Sequence, residues 1–290
     1  MADHRHGWHW YLAQLGCLRR ATYEQGVEEV EAPKPNDATT PKPNNAPDPA
    51  LMTDADFGIA FHTWFAWYHG GGGEDVEPPM PSEPPLGRNG KPQGCSLRTL
   101  AQRYRNAFPR GAFGALSLVE ERLRVDNFRG WGEPFAGTMD SVGTLDAEAV
   151  AWWQEQAIQR LLLQPATYLV DLKTKTRNTD ILIPSLMSSG QFTGYHGLWQ
   201  VYRPGVVLAG TLVQVAFRYT GDPPPGKSHF LTLLVPPPEA PDWEHLRTVV
   251  QEGARRYRTL GPQHCSPDRC WEWGRVCPVW EQVGCSRSNG

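Results

Sequence analysis

Two proline-rich stretches limit where regular secondary structure can form in this chain of 290 residues. Residues 32–51 (APKPNDATTPKPNNAPDPAL) contain six prolines, and residues 70–94 combine glycine with further proline. Proline lacks the backbone N–H that a helix interior or a central strand needs, so neither stretch can form the core of a fold. We expect a loop or linker at 32–51 and a Gly/Pro-rich loop at 70–94.

Outside these stretches, the spacing of apolar residues predicts alternating helices and strands. Helices are predicted at 8–31, from an N-cap at Thr53 or Asp54 to 68, and at 96–108, 147–163, 185–202 and 242–260. Strands are predicted at 116–125, 134–145, 168–173, 206–219 and 229–235, the last two paired. This order indicates one α/β domain spanning 1–290, with a central mixed sheet flanked by helices and helical additions at both ends.

The charge balance neither indicates nor excludes a nucleic-acid partner. The net charge is −3, and 20% of the residues are charged. Basic residues nevertheless cluster, and such clusters are either solvated faces or parts of a binding surface. The clusters are Arg19 with Arg20, Arg103 with Arg105 and Arg110, Lys173 with Lys175 and Arg177, and Arg255 with Arg256 and Arg258.

No apolar run has the length of a secretory signal or of a membrane span. We therefore expect a soluble, cytoplasmic protein that does not engage a membrane. In a reducing compartment, six cysteines indicate a metal or a cluster more than disulfides.

The triplet Asp171-Leu-Lys173 lies at the end of the third predicted strand. Side chains two apart on a strand share a face, so this carboxylate and this ammonium should converge. Asp140, on the preceding strand, would add a second hard oxygen ligand of the kind magnesium or manganese prefers. The lysine would then orient an attacking water and offset transition-state charge, as phosphodiester hydrolysis requires. By itself such a triplet is more often a surface ion pair than a catalytic site.

Four short motifs follow one another along the chain, formed by Gly58 and His62, Gly137 and Asp140, Asp171 with Lys173 and Thr174, and Gln191 and Tyr195. In this order they resemble the motifs of RecB-like nucleases of the PD-(D/E)XK superfamily. That family combines a Gly-x-x-x-His helix, a Gly-x-x-Asp strand, an Asp-x-Lys strand followed by Thr, and a Gln-x-x-x-Tyr helix. The resemblance implies a restriction-endonuclease-like core. The chain departs from the pattern in the helix predicted between Asp140 and Asp171, where a plain hairpin would suffice.

The resemblance also implies a role for each matching residue. His62, Asp140, Asp171 and the main-chain carbonyl of Leu172 would bind Mg²⁺ or Mn²⁺, and Lys173 would be the catalytic lysine. Gln191 and Tyr195 would hold the DNA backbone, and Glu120 would lie close to the metal ligands.

The function implied is a metal-dependent deoxyribonuclease, an exonuclease on single-stranded or end-containing DNA in recombination, repair or phage DNA processing. Gln191 and Tyr195 are also spaced as an ordinary i,i+4 helix pair. No phosphate-loop motif for ATP is present in the sequence, so unwinding would need a helicase or recombination partner. The alternative is a catalytically inactive DNA-binding module with a structural cysteine–metal site, in which Trp271 and Trp273 could stack on bases.

Four cysteines crowd the last part of the sequence, at Cys265, Cys270, Cys277 and Cys285. They resemble the cysteine-rich tail of the iron–sulphur branch of the same family (AddB-like or Cas-type), in which an N-terminal cysteine supplies a fourth ligand. The resemblance implies a [4Fe–4S] cluster that packs residues 261–290 against the N-terminal helix. Its ligands would be Cys17, Cys270, Cys277 and Cys285, with Cys265 and Cys95 left over.

Two details depart from that pattern and leave alternatives open. The proline that usually follows the N-terminal cysteine is absent after Cys17, and the tail spacings are wider than Cys-x-x-Cys. Zinc held among the four C-terminal cysteines, or no metal at all, are the alternatives.

Overall fold

The computed structural model describes residues 11, 54–70, 76–86, 91–155, 161–176 and 182–260. The helices are α1 Asp54–Tyr68, α2 Leu97–Ala107, α3 Ala147–Glu155, α4 Leu182–Met187, α5 Gly190–Tyr202 and α6 Ala240–Leu260. The strands are β1 Ala115–Val125, β2 Phe135–Leu145, β3 Ala166–Lys175, β4 Leu208–Phe217 and β5 Phe230–Val235.

The five strands form one sheet in the order β1-β2-β3-β4-β5. Neighbouring strands are antiparallel except β3 and β4, which are parallel. A parallel pair needs a crossover connection, and α4 and α5 lie in the segment that joins β3 to β4. The predicted α/β architecture with a central mixed sheet is therefore confirmed, as is the pairing of the last two strands.

Helices cover both faces of the sheet, because each face presents its own apolar cluster. Alternation along β3 sends Val170 and Leu172 into the cluster that contains aromatic residues of α1 and α2. Leu169 enters the other cluster, which it shares with Tyr195 of α5 and Leu246 of α6. A strand buried on both faces is typical of the centre of a layered α/β domain.

Two predicted helices have different bounds in the structure. The described part of the helix predicted at 147–163 ends at Glu155, and residues 161–164 have no regular secondary structure. The Tyr168 hydroxyl there accepts the Gln164 N–H and donates to the Gln164 carbonyl, which holds the chain in a turn before β3. The helix predicted at 185–202 is two helices, because the Ser189 hydroxyl caps a new start by accepting the Gln191 N–H at 3.3 Å.

Other predicted elements agree closely with the structure. The helix predicted at 96–108 is α2, and Ser96 caps it by accepting the Thr99 N–H at 3.2 Å. The described parts of 70–94 contain no helix and only an isolated bridge between Leu86 and Pro92, in keeping with a loop. The linker at 32–51, the cysteine-rich tail at 261–290 and nearly all of the helix at 8–31 lie outside the described residues.

Tyr11 is the one described residue of the N-terminal segment, and it is fully buried. Its ring stacks on Phe135 at the start of β2, and its hydroxyl donates to the Pro134 carbonyl. Gly253 of α6 allows this approach, since a β-carbon there would lie 2.8 Å from the Tyr11 carbonyl oxygen. The N-terminal segment is thus anchored to the domain at this point.

Among the helices of the described residues, none combines the length and the apolar composition needed to cross a membrane.

Candidate active site

The site lies where β2 and β3 separate. Their antiparallel ladder runs from Leu145 opposite Ala166 to Ser141 opposite Val170, and the next position on each strand is an aspartate. The Leu172 N–H donates to Asp140 Oδ2 at 2.8 Å. A carboxylate therefore takes the place that a carbonyl of β2 would have in a regular ladder. The carboxylates of Asp140 and Asp171 are brought together at this gap.

Asp171 and Lys173 lie on one face of β3, as the alternation of side chains predicts. The Lys173 ammonium donates to Asp171 Oδ1 at 2.7 Å. Asp171 is 1% exposed, and its second oxygen, Oδ2, is buried and has no hydrogen-bond partner among the described residues. A buried carboxylate oxygen without a donor is costly, so this atom is the best placed in the site to accept a cation.

Burial and the neighbouring charge of Asp171 both disfavour ionisation of the Asp140 carboxyl group. Burial, followed by the negative charge of Asp171, raises the pKa of Asp140 to about 7, against an opposing effect of Lys173, His62 and the Leu172 N–H. Two carboxylates that share a poorly solvated space disfavour each other's ionisation. A divalent cation between them would remove that penalty, and perturbed carboxylates of this kind are frequent at functional sites.

His62 reaches the same gap from α1. Its Nδ1 atom lies 3.7 Å from Asp140 Oδ2, and the two side chains are 21% and 15% exposed. This separation is too long for a hydrogen bond but short enough for a charge interaction. The structure thus brings the predicted ligand His62 beside Asp140.

The site offers the oxygen ligands that a hard divalent cation prefers. It has two carboxylates, and one of their oxygens, Asp171 Oδ2, has no hydrogen-bond partner among the described residues. Among the described residues, no three His, Cys, Asp or Glu side chains are grouped closely enough to hold an ion by themselves. Lys173 and the Leu172 N–H already hold one oxygen of each carboxylate. Further ligands, such as the predicted Leu172 carbonyl, water or a phosphate oxygen, would have to complete the shell, as is usual for magnesium.

Gln191 and Tyr195 form an i,i+4 pair on α5, in which the Gln191 amide donates to the Tyr195 hydroxyl at 2.7 Å. The Tyr195 ring packs directly on β2 at Gly137, where a β-carbon would lie 2.4 Å from Cε1 of the ring. Gly137 is three residues before Asp140. The glycine of Gly-x-x-Asp therefore has a physical role, since it admits the ring of the Gln-x-x-x-Tyr helix close to the site.

The other motif glycine has a looser environment. A β-carbon at Gly58 of α1 would lie 3.8 Å from the Thr174 hydroxyl oxygen, which is an ordinary contact. This places Thr174 on the α1 side of β3. Lys173 and its neighbour two positions on, Lys175, consequently share the opposite face.

The remaining predicted residues are located only in part. Val119 pairs with Ser141 and Glu121 with Met139, so Glu120 has the register position opposite Asp140 on β1. The predicted cluster ligands Cys17, Cys270, Cys277 and Cys285, the spare Cys265, and the two tail tryptophans Trp271 and Trp273, all lie outside the described residues. Cys95, the other cysteine predicted to be left over, is a buried free thiol next to α2.

Two features of the site have no sequence signal. The sequence does not predict the hydrogen bond from the Leu172 N–H to Asp140, because this N–H lacks a backbone partner on β2 only where the two strands separate. The contact of Tyr195 with Gly137 joins residues of different elements, and neither residue type predicts it. The i,i+4 pair within α5 is predictable from spacing alone.

The basic clusters differ in their surroundings. Arg103 donates to the Tyr219 carbonyl, and Arg105 pairs with Glu77. The clustered arginines of α6 pair with acids too, Arg255 and Arg256 with Glu252, and Arg258 with Glu133. These arginines are therefore paired with other residues of the fold, and Lys173 is paired with Asp171 inside the candidate site.

No family model matches this chain, and no curated protein matches it either. The fold and the geometry of the site are therefore the physical grounds for assigning a function to the protein.

Proposed function

We propose that this protein is a metal-dependent DNA nuclease with a RecB-like core of the PD-(D/E)XK type. The observation that supports it best is the gap between β2 and β3, which holds Asp140, Asp171 and Lys173 together. One buried carboxylate oxygen there, Asp171 Oδ2, has no donor in the part of the chain that the structure describes, and the carboxyl group of Asp140 has a pKa raised to about 7. A purely structural ion pair needs neither feature.

Each side chain has a distinct task in phosphodiester hydrolysis. Asp140 and Asp171 would hold Mg²⁺ or Mn²⁺, with His62 beside them. When bound, the cation supplies Lewis-acid stabilisation of phosphoryl charge and lowers the pKa of an attacking water. Lys173, fixed by Asp171, orients that water or offsets the negative charge that develops on the phosphate.

The substrate is proposed from the motif resemblance. Gln191 and Tyr195 would bind the DNA backbone from α5, and exonuclease action on single-stranded or end-containing DNA belongs to the same proposal. Processing of duplex ends during recombination, repair or phage DNA metabolism would then involve a helicase or recombination partner.

The direct test is degradation of labelled DNA with defined 5′ and 3′ ends, in Mg²⁺ or Mn²⁺ and with a chelator. We expect the wild-type protein to degrade DNA only with metal, and Lys173→Ala to be slower by roughly a hundredfold or more. Asp171→Ala should be impaired as well. Lys227→Ala, which removes an exposed lysine from the β4–β5 loop, is the matched control.

Equal degradation by the wild type, Lys173→Ala and Asp171→Ala would contradict the assignment, since the activity would then come from elsewhere. Tight DNA binding by the wild type without turnover in either metal would favour the inactive DNA-binding module.

We also propose that Cys17, Cys270, Cys277 and Cys285 bind a [4Fe–4S] cluster that links the two ends of the chain. Protein purified without oxygen should contain about four iron and four sulphide ions per chain and absorb in the visible range. Substitution of any one of the four cysteines by serine should lower the iron content, and Cys95→Ser should not. Stoichiometric zinc without visible absorbance would support the zinc alternative instead.

A further inference from the structure

One described lysine near the candidate site has no role in the chemistry proposed above. Lys175 is the last residue of β3, two positions after Lys173 and four after Asp171. Because Thr174 between them lies against Gly58 of α1, Lys173 and Lys175 share the other face of the strand. Their α-carbons are about 6.6 Å apart at the ordinary rise of a strand.

Exposure increases in steps along this face. The Asp171 side chain is 1% exposed, the Lys173 side chain is 25% exposed, and Lys175 is exposed. A polyanion that brought one phosphate to Asp171 and Lys173 would therefore pass over Lys175 on its way to solvent. The step between the two lysines is comparable to the distance between consecutive phosphates of one nucleic-acid strand.

Lys175 also differs from the clustered arginines of α2 and α6 in its lack of an internal partner. Among the described residues, no carboxylate lies within 4 Å of its ammonium, whereas arginines of the other basic clusters pair with Glu77, Glu133 and Glu252. Its backbone is held firmly, because the Lys175 carbonyl accepts the Arg218 N–H at 2.8 Å. An anchored strand end with an unneutralised ammonium is suited to a phosphate contact.

We propose that Lys175 is a positioning residue that binds the phosphate next to the scissile one. The inference rests on the proposed function and specifies its substrate. The substrate is a strand with at least two consecutive phosphates near the cleaved bond. Lys173 acts on the reacting phosphate, and Lys175 holds the flanking phosphate without regard to base sequence.

The test compares Lys175→Gln with Lys175→Arg and Arg203→Gln. Arg203, the exposed C-cap of α5, leads towards the start of β4, at the opposite end of the sheet. Its replacement removes the same charge far from the site. Two substrates are used, a single-stranded oligonucleotide and bis(p-nitrophenyl) phosphate, which has one phosphodiester and no flanking phosphate.

For Lys175→Gln we expect KM for the oligonucleotide to rise about fivefold to tenfold. The ratio of kcat/KM for the oligonucleotide to that for the small diester should fall by a similar factor. The slope of log KM against log salt should decrease by about 0.7, the value for one phosphate contact on a single strand. Lys175→Arg should restore most of the loss, and Arg203→Gln should resemble the wild type.

A wild-type protein that cleaves the oligonucleotide, together with an unchanged KM and salt slope for Lys175→Gln, would overturn this inference alone. An equal effect of Lys175→Gln and Arg203→Gln would overturn it as well, because general charge would then explain the loss. A wild-type protein that cleaves neither substrate in either metal would instead contradict the proposed function.

Discussion

Asp140→Asn is expected to abolish metal-dependent cleavage and, at the same time, to stabilise the protein when metal is absent. The asparagine oxygen can still accept the Leu172 N–H, so the hydrogen bond at the strand gap is kept. It cannot supply the negative charge that a divalent cation requires. Cleavage should therefore fall by roughly a thousandfold or more, beyond the usual effect of one lost transition-state interaction.

The gain in stability follows from the raised pKa of Asp140. The ordinary value is 3.8, and burial together with Asp171 raises it to about 7. Between these pH values the folded protein keeps a proton that the unfolded chain has released. The contribution of this group to stability is thus complete below pH 3.8 and is lost as the pH rises to about 7. At pH 8 the ionised carboxylate should cost a few kcal/mol, which Asp140→Asn removes.

Urea unfolding at pH 8 in a chelator, repeated near pH 4, measures this effect. The difference between wild type and Asp140→Asn should be large at pH 8 and small near pH 4. Added Mn²⁺ should stabilise only the wild type. Asp126→Asn, at a surface carboxylate that is 86% exposed, is the matched control and should change stability by less than about 0.5 kcal/mol. A less stable Asp140→Asn at pH 8 would show that the carboxylate supports the fold.

Gly194→Ala is expected to destabilise the protein by about 1–3 kcal/mol, although alanine is the better helix former. Gly194 lies within α5, and a β-carbon there would be 2.4 Å from Cζ of Phe135. Phe135 is 1% exposed and is enclosed by the stacked rings of Tyr11 and Phe128. Because that ring has no room to move, α5 must lift away from β2.

The matched control is Gly58→Ala, at a glycine of α1 whose β-carbon would meet only an ordinary contact at 3.8 Å. Helix propensity then acts alone, so this variant should be unchanged or more stable by up to about 1 kcal/mol. The free energy of unfolding in urea compares the two. A Gly194→Ala protein as stable as Gly58→Ala would show that α5 does not pack tightly on the sheet.

Much of the secondary structure could be predicted because its signals are local. Ser96 and the apolar face behind it define α2, and the apolar run of β3 defines a strand buried on both faces. The helix predictions were wrong at 161–163, which are not helical, and at the break before Ser189, which divides one predicted helix into two. At both places side-chain contacts with the backbone determine the structure. The Tyr168 hydroxyl bonds to the backbone of Gln164, and a serine hydroxyl competes for helical N–H groups.

The same distinction between local spacing and tertiary contacts applies to the candidate site. Alternation on a strand brings Asp171 and Lys173 together, and helical spacing brings Gln191 and Tyr195 together, so the sequence by itself determined both pairs. Only the tertiary structure opens the β2–β3 ladder next to Ser141, and this frees the Leu172 N–H for Asp140.

The tertiary structure also decides which basic residues remain available. The sequence shows four similar clusters, but carboxylates from distant elements neutralise arginines on α2 and α6 and leave Lys175 at the exposed end of β3. The physical reason is that strand and helix periodicity acts over a few residues. Repulsion between Asp140 and Asp171, and the pairing of Glu133 with Arg258, exist only once separate elements pack together.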